Sequence, residues 1–187
     1  MKKSELKLKI YDQMQESNIA IDQDLFDYGY EIMNQYILFI FFSVIICVFM
    51  GTFRELLLFY LVFIPIRKNI GGFHFTSRKL CFVFSILVSL MTAFFMRESI
   101  FDLVFLIFIG LILCMLTFIF GCIDNSNKLL TDEEKKFYKK RGLILEMIFI
   151  LFGYYFYLKG WYLITNAICL VFSFFCFNYL ICIKSIN

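Results

Sequence analysis

The stretch Phe101 to Gly121, FDLVFLIFIGLILCMLTFIFG, runs for 21 residues with one charge, Asp102, at its second position. About 20 apolar residues of helix cross the roughly 30 Å hydrocarbon layer of a bilayer. This run therefore predicts a transmembrane helix, and the question is how much of the chain follows the same rule. Sixty-one per cent of the 187 residues are hydrophobic and 27 are phenylalanine, with a mean hydropathy of +0.81. A soluble domain carries about 45–50% apolar residues. The chain reads as an all-α polytopic membrane protein with about six transmembrane helices.

The six segments are 34–51, 53–66, 80–96, 101–121, 143–158 and 161–183. Gly51 with Arg54-Glu55, Arg97-Glu98 and Lys159-Gly160 mark tight bends. Connectors 67–79 and 122–142 are longer and polar, and an N-terminal arm covers 1–33. Segment 53–66 is the weakest span, and Pro65 near its end removes a helix hydrogen bond, which predicts that the helix stops there. In the arm, Leu6, Ile10 and Met14 recur at four-residue spacing between charges, as expected of a helix lying on a membrane surface. The first 30 residues carry too many charges for the apolar core of a signal peptide.

Charge orients the segments. With the N-terminus inside, Lys2, Lys3, Lys7, Lys9, Arg67, Lys68, Arg78, Lys79, Lys128, Lys135, Lys136, Lys139, Lys140, Arg141 and Lys184 share the inner side. That leaves Arg54, Arg97 and Lys159 outside. The positive-inside rule then places both termini and both long connectors in the cytoplasm. The seven cysteines are odd in number and mostly within apolar segments, which argues against a disulfide framework. With a single histidine and no Cys-x-x-Cys pair, neither a metal site nor another cofactor is expected. No basic stripe interleaved with aromatics suggests nucleic acid.

Chemistry concentrates in residues 67–81, RKNIGGFHFTSRKLC. A cysteine is nucleophilic as its thiolate, which an imidazole or a helix N-terminus stabilises. Thr76 or Ser77 is a plausible N-cap for the next segment, placing Cys81 in its first turns beside Arg78 and Lys79. The only histidine, His74, is seven residues away, about 10 Å along a continuous helix. A direct His–Cys pair therefore needs a chain reversal, and Gly71-Gly72 supplies backbone freedom just before His74. On residues alone, two plain alternatives stand beside catalysis. Lone cysteines in membrane helices act as small hydrophobes, and a lone interfacial histidine is commonly a solvated one.

The order Arg67, Gly71-Gly72-x-His74 and Cys81 at the head of an apolar segment resembles the accessory gene regulator protein B (AgrB) family. The second connector is similar too. Asp124-Asn125-Ser126-Asn127-Lys128-Leu129-Leu130, followed by Glu133, Glu134, Lys135 and Lys136, resembles the family's Pro-x-Asp-x-x-Asn-Lys-Pro-Leu stretch and its charged continuation. Cys122 and Leu129 stand where the family carries proline. The resemblance implies a membrane cysteine endopeptidase of quorum-sensing pro-peptides in a Gram-positive cell membrane, working as a homodimer. Its substrate is a short AgrD-like precursor with an amphipathic leader and an acidic tail.

On that resemblance Cys81 attacks the carbonyl before the tail and forms a thioester, with His74 moving the proton. A cysteine or serine within the precursor then closes a thiolactone or lactone. Arg67 either binds a substrate carboxylate, holds the loop or anchors to headgroups. Lys135 and Lys136, with Lys139, Lys140 and Arg141, either attract the acidic tail or only signal topology. Glu146, one turn inside segment 143–158, either pairs with a connector lysine or orients His74. Ser77 caps the helix or supports the thiolate. The alternative function is a peptide transporter or export accessory without covalent chemistry. Proton-coupled transport calls for several intramembrane ionisable groups, and Glu146 is the clear one here.

Overall fold

The computed structural model describes residues 3–16, 22–72, 78–98, 101–123 and 131–186. Those residues form seven helices and no strand. They are α1 (Lys3–Glu16), α2 (Gln23–Met50), α3 (Phe53–Ile70), α4 (Arg78–Glu98), α5 (Leu103–Phe120), α6 (Asp132–Leu158) and α7 (Tyr162–Ile186). The all-α architecture matches the expectation from hydropathy.

Five helices carry spans long and apolar enough to cross a membrane: Gly29–Met50, Leu80–Arg97, Leu103–Phe120, Asp132–Leu158 and Tyr162–Cys182. Such a set fits a multi-pass membrane protein. Helix α3 is outside it because Arg54, Glu55, Arg67 and Lys68 fall within its 18 residues. The helix does not stop at Pro65, as the sequence suggested, but continues through it to Ile70. Proline forfeits one backbone bond, whereas the extra turn buries Ile66 and Ile70 in the core, and the Asn69 amide donates to the Pro65 carbonyl at 2.7 Å. The stop is set instead by Gly71.

The chain divides into two compact units, 1–42 and 43–187. In the first, α1 packs on the start of α2 through a Lys7–Asp27 ion pair of 2.8 Å and a Tyr11–Phe26 ring contact with centroids 5.0 Å apart. In the second, α7 is the centre of a bundle. Sixty-one per cent of its apolar span is buried, against 17–22% for the spans of α4, α5 and α6. Ile168, Phe172, Phe175 and Tyr179 of α7 pack with Phe59, Val62, Ile66 and Ile70 of α3 and with Leu106 and Leu113 of α5. The outward faces are apolar as well, with Val104, Leu151 and Phe177 exposed. In hydrocarbon, association cannot rely on expelling water, so close packing of small residues matters more. A Cβ on Gly110 would stand 2.7 Å from Ile150 Cδ1, and one on Gly153 would stand 2.9 Å from Leu106 Cδ2. Both glycines let α5, α6 and α7 approach closely.

At the α4–α5 turn, buried Asn166 of α7 acts as a clamp. Its Nδ2 donates to the Met96 carbonyl at 3.0 Å, and its Oδ1 accepts from the Phe101 N–H at 3.1 Å. Thr165 adds a bond to the Gly153 carbonyl at 3.1 Å. Asn166→Leu removes both arms and leaves two backbone groups without these partners. It is expected to lower stability by about 1–3 kcal/mol, read from denaturant unfolding in detergent micelles, with Thr165→Val costing less.

Candidate active site at the connector end

Helix α3 ends at Gly71, whose φ of +83° and ψ of −149° lie in a region essentially restricted to glycine. The Gly71 N–H closes the helix on the Arg67 carbonyl at 2.9 Å, while the Ile123 carbonyl oxygen occupies the face where a Cβ would project. Ile123 also donates its N–H to the Ile70 carbonyl at 2.7 Å. The two polar connectors are thus joined backbone to backbone where α3 stops. A Cβ on Gly72 would stand 2.9 Å from Arg67 Nη1 and 4.0 Å from Asn178 Oδ1. The guanidinium folds back against the bare Gly72 backbone, its carbon 5.6 Å from the centre of the Phe63 ring.

Cys81 is the fourth residue of α4, half-buried, in the first turn after the connector. His74 and Ser77 lie outside the described residues, so their placement relative to Cys81 does not enter the geometry. Lys135 and Lys136 occupy the first turns of α6, half-buried and exposed respectively. That helix starts at Asp132, inside the second connector. Thr131 Oγ1 accepts from the Glu134 N–H, and the Glu134 carboxylate accepts from the Thr131 N–H. Cys122 Sγ donates to the Lys135 carbonyl at 3.9 Å, and Lys139 Nζ sits 4.8 Å from the centre of the Phe118 ring. The start of α6 is therefore fastened to the end of α5, next to Ile123. Among the described residues, no group of three His, Cys, Asp or Glu side chains converges to hold a metal.

Glu146 is fully buried and, among the described residues, bonds to a threonine and to no connector lysine; its suggested role in orienting His74 falls on a residue outside the described ones. Thr117 Oγ1 of α5 donates to Glu146 Oε1 at 2.6 Å. The Tyr179 hydroxyl of α7 stands 3.2 Å from Thr117 Oγ1 and 2.6 Å from the Gly121 carbonyl. Oε2 has no hydrogen-bond partner, and the Cys114 thiol is the other polar side chain beside the carboxyl. One turn earlier, a Cβ on Gly142 would meet Ile70 Cγ1 at 3.4 Å and Thr117 Cγ2 at 3.6 Å. That close approach aims the next turn of α6 at α5 instead of towards the connector lysines. A second buried carboxyl, Glu55, lies in the first turn of α3, at the opposite end of that helix from Arg67.

Sequence reasoning missed Thr117, Asn178 and Tyr179. Their signal was polar atoms in the last turns of apolar helices, at a depth where an unpaired polar group is costly.

Two stability outcomes follow from this geometry. Gly71→Ala is expected to cost about 1–3 kcal/mol, because alanine is strained at this backbone conformation and its methyl displaces Ile123. Glu146→Gln keeps an acceptor for Thr117 and holds near-parental stability, whereas Glu146→Leu loses about 1–3 kcal/mol. Unfolding in detergent micelles measures all three.

A family model described as accessory gene regulator B matches residues 7–184. Two AgrB-like proteins of Clostridium perfringens are similar to the chain. The one from strain SM101 is 26% identical over 160 residues, covering 78% of this chain and 73% of its own length. The one from strain 13 is 26% identical over 154 residues, covering 74% and 71%. No solved structure matches. A family match over nearly the whole length, on a chain whose described residues include five helices long and apolar enough to cross a membrane, places this protein in the accessory gene regulator B (AgrB) family.

Proposed function

We propose that this protein is a membrane cysteine endopeptidase that removes the C-terminal tail of a quorum-sensing pro-peptide and allows the remainder to cyclise. The family supports a role in the agr quorum-sensing system with a peptide substrate. The observation that carries the chemistry is the place of Cys81. It stands in the first turn of α4, immediately after the connector that holds the only histidine. The amide N–H groups of a helix start favour a thiolate.

In the proposed reaction His74 takes the Cys81 thiol proton, and Sγ attacks the carbonyl carbon at the tail junction. The C–N bond breaks, the proton passes from His74 to the leaving amine, and the precursor remains on Cys81 as a thioester. A cysteine thiol of the precursor then attacks that carbonyl and expels the Cys81 thiolate. Exchange of one thioester for another is close to neutral, so the energy of the peptide bond is not lost to water. A serine in the same place gives a lactone. Arg67 and the lysines of α6, Lys135 and Lys136 among them, supply cations for an acidic tail. Both termini and both connectors are assigned to the cytoplasmic face, because that arrangement puts 15 of the 18 basic residues on one side. The partnership with an AgrD-like precursor, a homodimeric assembly and a Gram-positive source belong to the same reading.

Co-expression with a cognate precursor tests it. Cys81→Ala is expected to abolish tail release, and His74→Ala to slow it by about 10²–10⁴-fold, followed by mass spectrometry of the peptide. Tail release at the parental rate by Cys81→Ala refutes the enzyme and favours transport without covalent chemistry.

A further inference from the structure

Helices α3 and α7 run side by side in matched rungs towards the connector end. Phe63 of α3 packs against Phe174 and Phe175 of α7, with ring centroids 5.7 and 5.4 Å apart. One turn further along each helix come Arg67 and Asn178. Asn178 is buried, and its Nδ2 donates to the Phe174 carbonyl one turn back at 3.0 Å. With its donor end turned into its own helix, the amide presents Oδ1, an acceptor, towards Gly72. The Arg67 guanidinium reaches the same spot from α3, since both groups lie within 4.0 Å of the position a Gly72 Cβ would take. Arginine carries five donors and no acceptor, so an amide oxygen is its natural complement.

We infer that Asn178 is a positioning residue, which holds the Arg67 guanidinium against the Gly72 backbone and so fixes the direction of its hydrogen-bonding fork. The inference rests on the proposed function in one respect, that Arg67 belongs to the substrate site. Three constraints then act on one cation. The Phe63 face supports the guanidinium from one side, the absent side chain of Gly72 leaves room for Nη1, and Asn178 Oδ1 lies 4.0 Å from the same spot. A fork held in this way meets a peptide carboxylate in a single orientation, which is the advantage arginine has over lysine. Asn178 itself does not touch the reacting atoms and acts through Arg67.

The test uses the full chain in detergent micelles with two readouts. The first is the rate at which phenylglyoxal modifies Arg67, followed by mass spectrometry, with exposed Arg54 and Arg97 of the same molecule as internal standards. Asn178→Leu is expected to raise the Arg67 rate about fivefold, the change that corresponds to one net hydrogen bond, and to leave Arg54 and Arg97 unchanged. Asn178→Asp keeps an acceptor and adds a negative charge beside the guanidinium, and is expected to hold the Arg67 rate at or below the parental one. An unchanged Arg67 rate in Asn178→Leu overturns the inference, and so does a parallel rise at all three arginines, which marks general loosening. The second readout is tail release by Asn178→Leu, Arg67→Lys and the double variant. The Asn178→Leu loss is expected to vanish in the Arg67→Lys background, and losses that multiply overturn the positioning role. A parental chain that releases no tail counts against the proposed function instead, and the modification rates then decide this inference alone.

Discussion

The 2.7 Å hydrogen bond from the Ile123 N–H to the Ile70 carbonyl is the point on which the connector end depends. In an apolar bundle every backbone group must find a protein partner, because hydrocarbon supplies none. The last carbonyls of α3 meet that demand in two ways. Gly71 turns its own N–H back to Arg67, and the segment after α5 reaches across to Ile70. The second bond joins connectors more than 50 residues apart in sequence. It requires Gly71, since any side chain there would meet the Ile123 carbonyl. The chain leaving α3 therefore starts from a defined point at Gly71 and Gly72.

A polar chain supports that junction from within. Glu146, Thr117, Tyr179 and the Gly121 carbonyl run from the middle of α6 through α5 to α7 and back to the end of α5, two residues before Ile123. Burying polar groups costs free energy unless they are satisfied, and here three helices supply the partners of all but Glu146 Oε2. The arrangement couples the packing of α5, α6 and α7 to the position of the connector. Gly142 makes it feasible by letting α6 come near enough for Glu146 to reach Thr117. The same closeness explains why a carboxyl only five residues from Arg141 turns inward to a neutral hydroxyl.

Much of the fold was legible because hydropathy in a membrane chain speaks about whole segments. Runs such as 101–121 declare a helix with no need of tertiary context, and turn residues such as Gly51 and Lys159-Gly160 mark the joints. Legibility failed where a local rule met a tertiary gain. Pro65 is a helix breaker by local rule, yet burial of Ile66 and Ile70 carries the helix on to Gly71. Glu146 was visible as a buried acid, but its partner depends on an interhelix distance set by a glycine one turn away. Asn178 and Tyr179 were harder still, because a single amide or phenol in an apolar helix carries no spacing pattern. The proposal for Cys81 and His74 has a different source. Their order within the Arg67-Gly71-Gly72 pattern belongs to a family, and composition alone leaves them a small hydrophobe and a surface imidazole.

The position of Arg67 shows how stability and the proposed chemistry constrain each other. A guanidinium is a permanent cation, and one placed a turn inside the end of an apolar helix is costly unless it is enclosed by suitable partners. An aromatic face, a bare glycine backbone and an amide oxygen offer such an enclosure without introducing a second charge. A carboxylate partner from the protein holds a guanidinium more strongly, but it also neutralises the charge that the proposed acidic peptide would meet. A neutral amide offers the fork an acceptor without adding a second charge at this rung. An amide instead of an acid at this rung is therefore compatible with the anionic substrate proposed above, because it adds no charge that competes with the peptide's own.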